Sequence, residues 1–397
     1  MYLKFSLIFT LLFIATLPFE QPLLPDFPAL IAPFFELISK WVATNLLGWS
    51  PHLNYRLESD SAGLYVHSGI LLFISYSLAF VWHLLEKNDN RKVFYNKVLI
   101  EISSFYLSMQ LFSYSFSKLF KAQFFFPEAN TLFTPLAYLD RDILFWSAMG
   151  TSHTYSVFSG IIELVPALLL IFPRTRTLGA SIAFGVMLNV FMLNMGFDIS
   201  VKLFSAFLIF LCLNVLKTEF RNLYLFFLSD LPIKRNPIGL SWKNIIYRSI
   251  FGLFLIINGM FPFISAGNFN DDLAQRSDLN GAYEINQFVL NGDSLAPVMN
   301  DKFRWKRIFI HRRGYFIIQN MQDKMSDYKL KIDESNNILE ITDYRNYDLK
   351  YSLNISRNGD SMSLKSNFIG KDIYIKALRI DLKKLPISNN NFHWMVN

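Results

Sequence analysis

The side chains with the most chemical potential in this chain are ionisable or amide groups set inside apolar runs. Residues 158–210 are almost wholly apolar, broken only by PRTRT and NMGFDIS, yet they contain Glu163, Asn189, Asn194, Asp198 and Lys202. Each apolar arm approaches the roughly 20 residues that a helix needs to cross a bilayer. A charged side chain there is costly and marks a functional site by default. Glu163 lies about ten residues into its arm, near the midplane at a rise of roughly 1.5 Å per residue. A carboxylate at that depth is either neutral or paired with a cation. The preceding apolar run offers one: Glu101, Ser104, Ser108, Leu111, Ser115 and Lys118 are spaced three and four apart and so share one helix face. Small hydroxyl residues on such a face let helices pack closely, while Lys118, near the end of its run, either snorkels to the headgroups or reaches Glu163. Lys118, Glu163, Asn189, Asn194, Asp198 and Lys202 therefore make up the candidate intramembrane polar site, with a pocket opening outward as the functional reading. The plain alternative is that Asp198 and Lys202 only pin the turn between two helices.

Other chemistry is thinly represented. His67 and His153 stand at the ends of apolar runs, but no ligand motif surrounds them, and no metal site is expected. No glycine-rich phosphate loop, HExxH or nucleophile-elbow motif is present. The single cysteine, Cys212, sits in an apolar run and reads as a small buried hydrophobe. The sequence names no cofactor.

The elements that must position the polar site follow from hydropathy. Hydrophobic residues are 52% of the 397, and Phe alone counts 41, well above a soluble norm. About seven membrane helices are expected, at residues 1–19, 63–85, 98–120, 153–172, 177–195, 201–216 and 249–266. Residues 1–19 resemble a secretory signal without a small-x-small cleavage site and read as an uncleaved first helix. Residues 28–48 carry Glu36, Lys40 and Trp41 and suit a helix lying in the interface. Residues 217–248 are polar and basic around a short amphipathic piece, FRNLYLFFL. The net charge of +7 is split evenly between the helical part and residues 268–397, so a nucleic-acid role is not expected. Lys and Arg are concentrated instead in one set of loops, including Lys87, Arg91, Lys92, Arg174, Arg176, Lys234, Arg235 and Arg248. The positive-inside rule makes those loops cytoplasmic and leaves the C-terminal segment outside.

From residue 268 the pattern changes. Stretches at 281–290, 303–310, 315–319, 328–332, 338–342, 349–355, 362–368 and 373–380 read as strands, many alternating apolar and polar as in YKLKI and ILEI. SNN, RNGD and GKD mark turns between them. Such a series predicts a small antiparallel barrel or sandwich with a self-contained core. The basic block Lys302, Arg304, Lys306, Arg307, Arg312 and Arg313 reads as a solvated face, with lipid headgroups as the other reading. The organisation expected is thus 1–62 as first helix and interfacial segment, 63–217 as membrane bundle, 218–267 as amphipathic stretch and last helix, and 268–397 as β domain.

FSKLF at 116–120, SGIIE at 159–163 and RTRTLGA at 174–180 resemble the DoxX family of bacterial inner-membrane proteins. The longer VMLNVFMLN…DISVKLFS pattern resembles an extended branch with an outer β domain that ends near Phe-His-Trp, here Phe392, His393 and Trp394. The resemblance covers residues 63–217 well. It implies a four-helix core, family Lys and Glu positions at Lys118 and Glu163, a place in the bacterial inner membrane with the β domain on the periplasmic side, and an association with a quinone-linked redox or stress-response system. Where the branch carries Gly-Asp-Ser-Pro and Cys-Tyr-Asp-Val-Pro, this chain has YLDRD at 138–142 and GFDIS at 196–200. A weaker analogy is to the vitamin-K-dependent carboxylase-like membrane family, which also joins a helical bundle to an outer β domain. Two readings stay open: a DoxX-like protein beside quinones and a membrane-protein partner, or a non-catalytic envelope protein whose bundle is an anchor and whose β domain binds a lipid, a hydrophobic small molecule or a partner protein.

Overall fold

The computed structural model describes residues 1–17, 21–86, 91–229, 241–344, 346–388 and 395. Lys87, Lys234, Arg235 and the Phe392-His393-Trp394 motif lie outside the described residues, as does the end of the first apolar run. The chain divides into two compact units, Met1–Gln123 with Thr154–Asn270, and Phe124–His153 with Asp271–Asn397. In chain order the helices are α1 (Tyr2–Thr16), α2 (Phe27–Asn45), α3 (Ala62–Leu85), α4 (Lys92–Leu119), α5 (Ala129–Leu132), α6 (Arg141–Thr151), α7 (His153–Ile171), α8 (Arg176–Gly196), α9 (Lys202–Leu216), α10 (Phe220–Leu228) and α11 (Trp242–Ala266).

The first unit is helical. Five described segments are long and apolar enough to cross a membrane: α2, α3, α7, α8 and Trp242–Leu273, which contains α11. The pair α9 and α10, bent by 81° at its break, would make a sixth. This differs from the seven expected, and each difference has a physical cause. Helix α2, read as interfacial from its charges, is 19 residues long and exposes Phe27, Leu30, Phe34, Leu37 and Trp41. Helix α1 is only 15 residues. Helix α4 has the length, 28 residues, but not the apolarity, because it carries Lys92, Lys97, Glu101, Lys118 and a run of serines. It tolerates them by sitting inside the bundle: Leu99, Leu107, Leu111 and Phe112 are wholly buried, as are Ser104, Ser108 and Ser115. Protein rather than lipid surrounds its polar stripe. The amphipathic FRNLYLFFL forms α10, which buries none of its residues and exposes Phe226, Phe227 and Leu228, the character of a helix lying in an interface.

The second unit is built on β1 (Gly281–Leu290), β2 (Asp293–Ser294), β3 (Trp305–His311), β4 (Tyr315–Asn320), β5 (Met325–Asp333), β6 (Ile338–Asp343), β7 (Lys350–Asn358), β8 (Ser361–Phe368) and β9 (Lys371–Arg379). All pairings are antiparallel between neighbours, and β1 also pairs with β9 from Tyr283↔Arg379 to Leu290↔Ile373. The long strands therefore close into an eight-stranded up-and-down barrel, leaving no open edge; β2 is a two-residue flap on β1. The expected strands are the observed ones to within a few residues, and the choice between barrel and sandwich falls to the barrel. Apolar alternation explains it: Phe288, Ile308, Phe316, Leu339, Ile341, Leu353, Leu364 and Ile375 are wholly buried and fill the interior. The SNN, RNGD and GKD signals become turns with Asn337, Gly359 and Gly370 at φ +53°, +60° and +72°.

The core of this unit extends past residues 268–397. Residues 124–138, more than 140 positions upstream, cover the outer face of β1, β3 and β4. Ala129 and Phe133 pack on Ala282, Phe309 and Ile317. The Phe126 N–H donates to Asp272 Oδ1 (2.6 Å), the Gln319 amide donates to the Phe133 carbonyl (3.0 Å), and the Arg307 guanidinium stacks 4.6 Å over the Phe133 ring.

Candidate functional site

Of the six sequence candidates, Lys118 and Glu163 come together. The Lys118 ammonium on α4 forms an ion pair with Glu163 Oε1 on α7, with side chains 8% and 1% exposed. The second carboxylate oxygen, Oε2, is buried and accepts no hydrogen bond. The serine stripe brings the two helices this close. Ser108 Oγ donates to the Ala167 carbonyl (2.8 Å), Ser115 Oγ to the Gly160 carbonyl (2.9 Å), and Ser156 Oγ returns a bond to the Lys118 carbonyl (2.9 Å). Gly160 is required at the seam: a Cβ there would lie 2.8 Å from Leu119 Cγ and 3.0 Å from the Ser115 carbonyl oxygen.

The other candidates lie elsewhere. Asn194 donates to Ser205 Oγ (3.1 Å) and to the Val201 carbonyl (3.4 Å), and Lys202 Nζ meets Asp198 at 2.8 Å. These contacts close the α8–α9 turn, where Asp198 has φ +55°. Asn189 is exposed. None of the six lines the cavity described below. The contacts of the six candidates thus form one buried pair and one pinned turn, with Asn189 apart from both. Sequence reading missed Asp60, which completes the turn: its carboxylate accepts from the Lys202 and Leu203 N–H groups (2.7 and 3.1 Å) and caps α9 from a distant loop.

Two arginines counted as loop charges are also engaged. Arg176 forms a two-pronged bond to Glu101 (2.9 and 3.2 Å), and Arg248 reaches the same carboxylate at 2.7 Å while donating to the Ile171 carbonyl. This cluster ties α4, α8 and α11 together. His67, wholly buried, bonds Thr16 Oγ1 at 2.8 Å. Among the described residues, no group of three or more His, Cys, Asp or Glu is arranged to hold a metal.

In the barrel unit the basic block is not a plain solvated face. Arg304 is 3% exposed and donates to the carbonyls of Leu295, Trp305 and Ile285. Arg312 belongs to a cluster with Arg276, Glu128, Asp271 and His311. Arg312 pairs with Asp271 and lies 2.6 Å from Glu128 through Nε; Arg276 reaches Glu128 at 3.3 Å and the Asp271 carbonyl at 3.0 Å. The Arg312 guanidinium is stacked 3.8 Å over Phe125. Burial pushes Glu128 above the ordinary carboxylate range against the pull of both arginines. Burial, reinforced by Arg312, Arg313 and Arg276, lowers His311 to about 4. His311 is then neutral at pH 7, and its 3.9 Å approach to Glu128 is not an ion pair.

This cluster borders a cavity of about 310 Å³ at one end of the barrel. Its lining is mixed: Ile310, Leu330 and Ile332 are apolar, while Asp271, Gln275, Arg276, Ser277, Asn280, His311 and Arg312 are polar. The β3–β4 hairpin contributes to it: Gly314, with φ +74°, forms the turn, and its carbonyl accepts from the Leu330 N–H at 2.7 Å. Aliphatic side chains beside convergent polar and charged groups in a cavity of this size can hold a small molecule. The sequence offers Arg312 in its basic block and a ligand-binding β domain as a reading, but not this cluster, because Glu128, Asp271 and Arg312 are distant in the chain.

No family model and no solved structure matches the chain. Over 77 residues it is 39% identical to the uncharacterized protein YwoB of Bacillus subtilis (strain 168), a match covering 19% of this chain and 50% of that protein. The chain thus spans half the length of the curated relative it matches.

Proposed function

We propose that this is a multi-pass membrane protein whose helical unit is an anchor and whose barrel captures a small molecule at its mouth. The observation that carries the reading is the 310 Å³ cavity lined by Ile310, Leu330 and Ile332 together with Arg276 and Arg312. Native mass spectrometry of the protein purified in mild detergent tests it. A bound mass of a few hundred daltons is expected, lost in Ile332→Trp, which fills the wall. A bare polypeptide mass, with no difference between wild type and variant, would sink the reading.

The barrel faces the extracytoplasmic side in this proposal, on the strength of the Lys and Arg asymmetry among the loops. In a Cys212→Ser background, Asn358→Cys should react with an impermeant maleimide in intact cells; protection there would reverse the orientation.

The Lys118–Glu163 pair favours a second reading, a DoxX-like protein of the bacterial inner membrane serving a quinone-linked redox or stress system beside a membrane-protein partner. The resemblance assigns family positions to these two residues, and they touch. A quinone, haem or flavin in the purified protein would support it, and a colourless, quinone-free preparation from respiring cells would count against it.

A further inference from the structure

We propose that the barrel-mouth cavity takes a small amphiphile with an anionic head, a carboxylate or phosphate on a short apolar chain, and that Asp271 holds the head-group position while the ligand is away. This inference rests on the small-molecule reading above. Arg276 and Arg312 both line the cavity and share two carboxylates. The two acids are not equivalent. Glu128 is 7% exposed and is gripped by both guanidiniums, so it is their fixed counter-ion. Asp271 is 25% exposed, lines the cavity itself and belongs to a three-residue 3-10 turn rather than to a strand.

A guanidinium carries five N–H donors in a planar fork that matches a carboxylate or phosphate two bonds at a time. Arg312 has a donor to spare: Nη2 is buried and has no hydrogen-bond partner. A ligand head that displaced Asp271 would keep Arg312 neutralised and could satisfy that donor as well. Ile310, Leu330 and Ile332 line the same cavity with aliphatic side chains, which suits an apolar body on the ligand. The volume stands at the low end of the roughly 300–1,000 Å³ range of ligand sites, which keeps the chain short. A cation would meet two guanidiniums, and a small neutral polyol would leave the aliphatic side chains uncovered.

The test uses the full-length protein in phosphatidylcholine nanodiscs, titrated by calorimetry with octanoate, octyl phosphate and octyltrimethylammonium, with empty nanodiscs as the blank. Saturable binding of an anion and none of the cation is expected. A preference for octanoate points to a free carboxylate, and a preference for octyl phosphate to a phosphate head of the kind lipids carry. Asp271→Asn should tighten anion binding by about tenfold, and Arg312→Met should weaken it by at least as much, the scale of a charge-assisted hydrogen bond. Ile332→Trp leaves every charge in place and should also abolish binding, which guards against misfolding of Arg312→Met. Equal or tighter binding of the cation, or an unchanged anion affinity in Asp271→Asn, overturns the proposal. Binding of the cation alone removes the anionic ligand and leaves the small-molecule reading standing. No saturable binding of any probe, with no co-purified compound, removes both.

Discussion

Lys118 and Glu163 form an ion pair across the α4–α7 seam, 45 positions apart in sequence, with both side chains nearly or wholly shielded from solvent. Their helices approach at Gly160 and are joined by serine-to-carbonyl bonds on either side of the pair. Removing one partner of a buried pair costs roughly 3–5 kcal/mol, while replacing both by apolar groups of similar volume is often nearly neutral. Glu163→Gln and Lys118→Met are each expected to lower the melting temperature in detergent by several degrees. The double variant Glu163→Gln with Lys118→Met should recover part of the loss. Strictly additive losses would mean that the pair contributes nothing to stability.

How far the sequence discloses this molecule depends on the distance over which each feature is decided. Strands β5 and β6 are legible because alternation in YKLKI and ILEI records which face is buried, and the turns at Gly359 and Gly370 are legible from single residues. Closure of the barrel is not, since it depends on Tyr283 finding Arg379. Nor is the membership of residues 124–138 in the barrel unit, where Phe133 meets Phe309. In the candidate site, Glu163 and Lys118 stand out as lone charges in apolar runs. Asp60 does not, because an acid in a polar loop looks alike whether or not it caps a remote helix. Charge type is legible in the sequence and charge environment is not: Arg304, Arg176 and Arg312 look like solvated or orienting charges and are held among carbonyls and carboxylates.

His311 makes barrel stability depend on pH. Its folded-state pKa, lowered to about 4, lies below the ordinary 6.5. Well above pH 6.5 it is neutral whether folded or not and contributes no pH dependence. As pH falls from 6.5 toward 4 the unfolded chain takes up a proton that the folded barrel refuses, so stability declines. Glu128, whose pKa is raised by burial, works the other way: the folded barrel holds its proton more tightly than the unfolded chain, so its contribution to stability rises as pH falls through its folded-state pKa, and the comparison with a His311 variant separates the two. Hydrogen exchange of peptides covering β3–β5 should therefore accelerate between pH 6.5 and 5 beyond the intrinsic rate. His311→Asn, which can still accept from the Arg313 N–H, should flatten that trend. An unchanged slope in the variant would assign the dependence to other groups.

Ile369 occupies the β8–β9 turn at φ +53° with its side chain 58% exposed. A β-branched residue is strained in the left-handed region and gains little from packing there, whereas asparagine tolerates that conformation. Ile369→Asn is expected to stabilise the barrel by about 1 kcal/mol. A denaturation midpoint at or below that of the parent would contradict the strain argument.

The sequence alone presents residues 268–397 as a domain with its own core, and the interior cluster does lie within them, but the barrel's outer face carries a second cluster shared with upstream residues. Phe309 and Ile317 are 1% and 3% exposed, and both point away from the barrel interior into the cover formed with Ala129 and Phe133. Stripping that cover exposes two large apolar side chains, each worth roughly 1.5–3 kcal/mol when fully buried. It also removes Glu128 from Arg276 and Arg312, leaving the two cations with one carboxylate fewer between them. A fragment of residues 268–397 is therefore expected to form the barrel weakly, with a broad melt and a tendency to associate through the bared β1–β3–β4 face. Fusing residues 124–140 to its N-terminus through a flexible Gly/Ser linker should sharpen the melt and raise its midpoint by several degrees. Within the fusion, Phe133→Ala should reverse most of that gain, because it empties the centre of the cover while leaving Glu128 in place. Circular dichroism melts of the fragment, the fusion and the fusion variant decide the matter. If the bare fragment melts as cooperatively and as high as the fusion, residues 124–138 are a passive covering and the barrel core is complete without them.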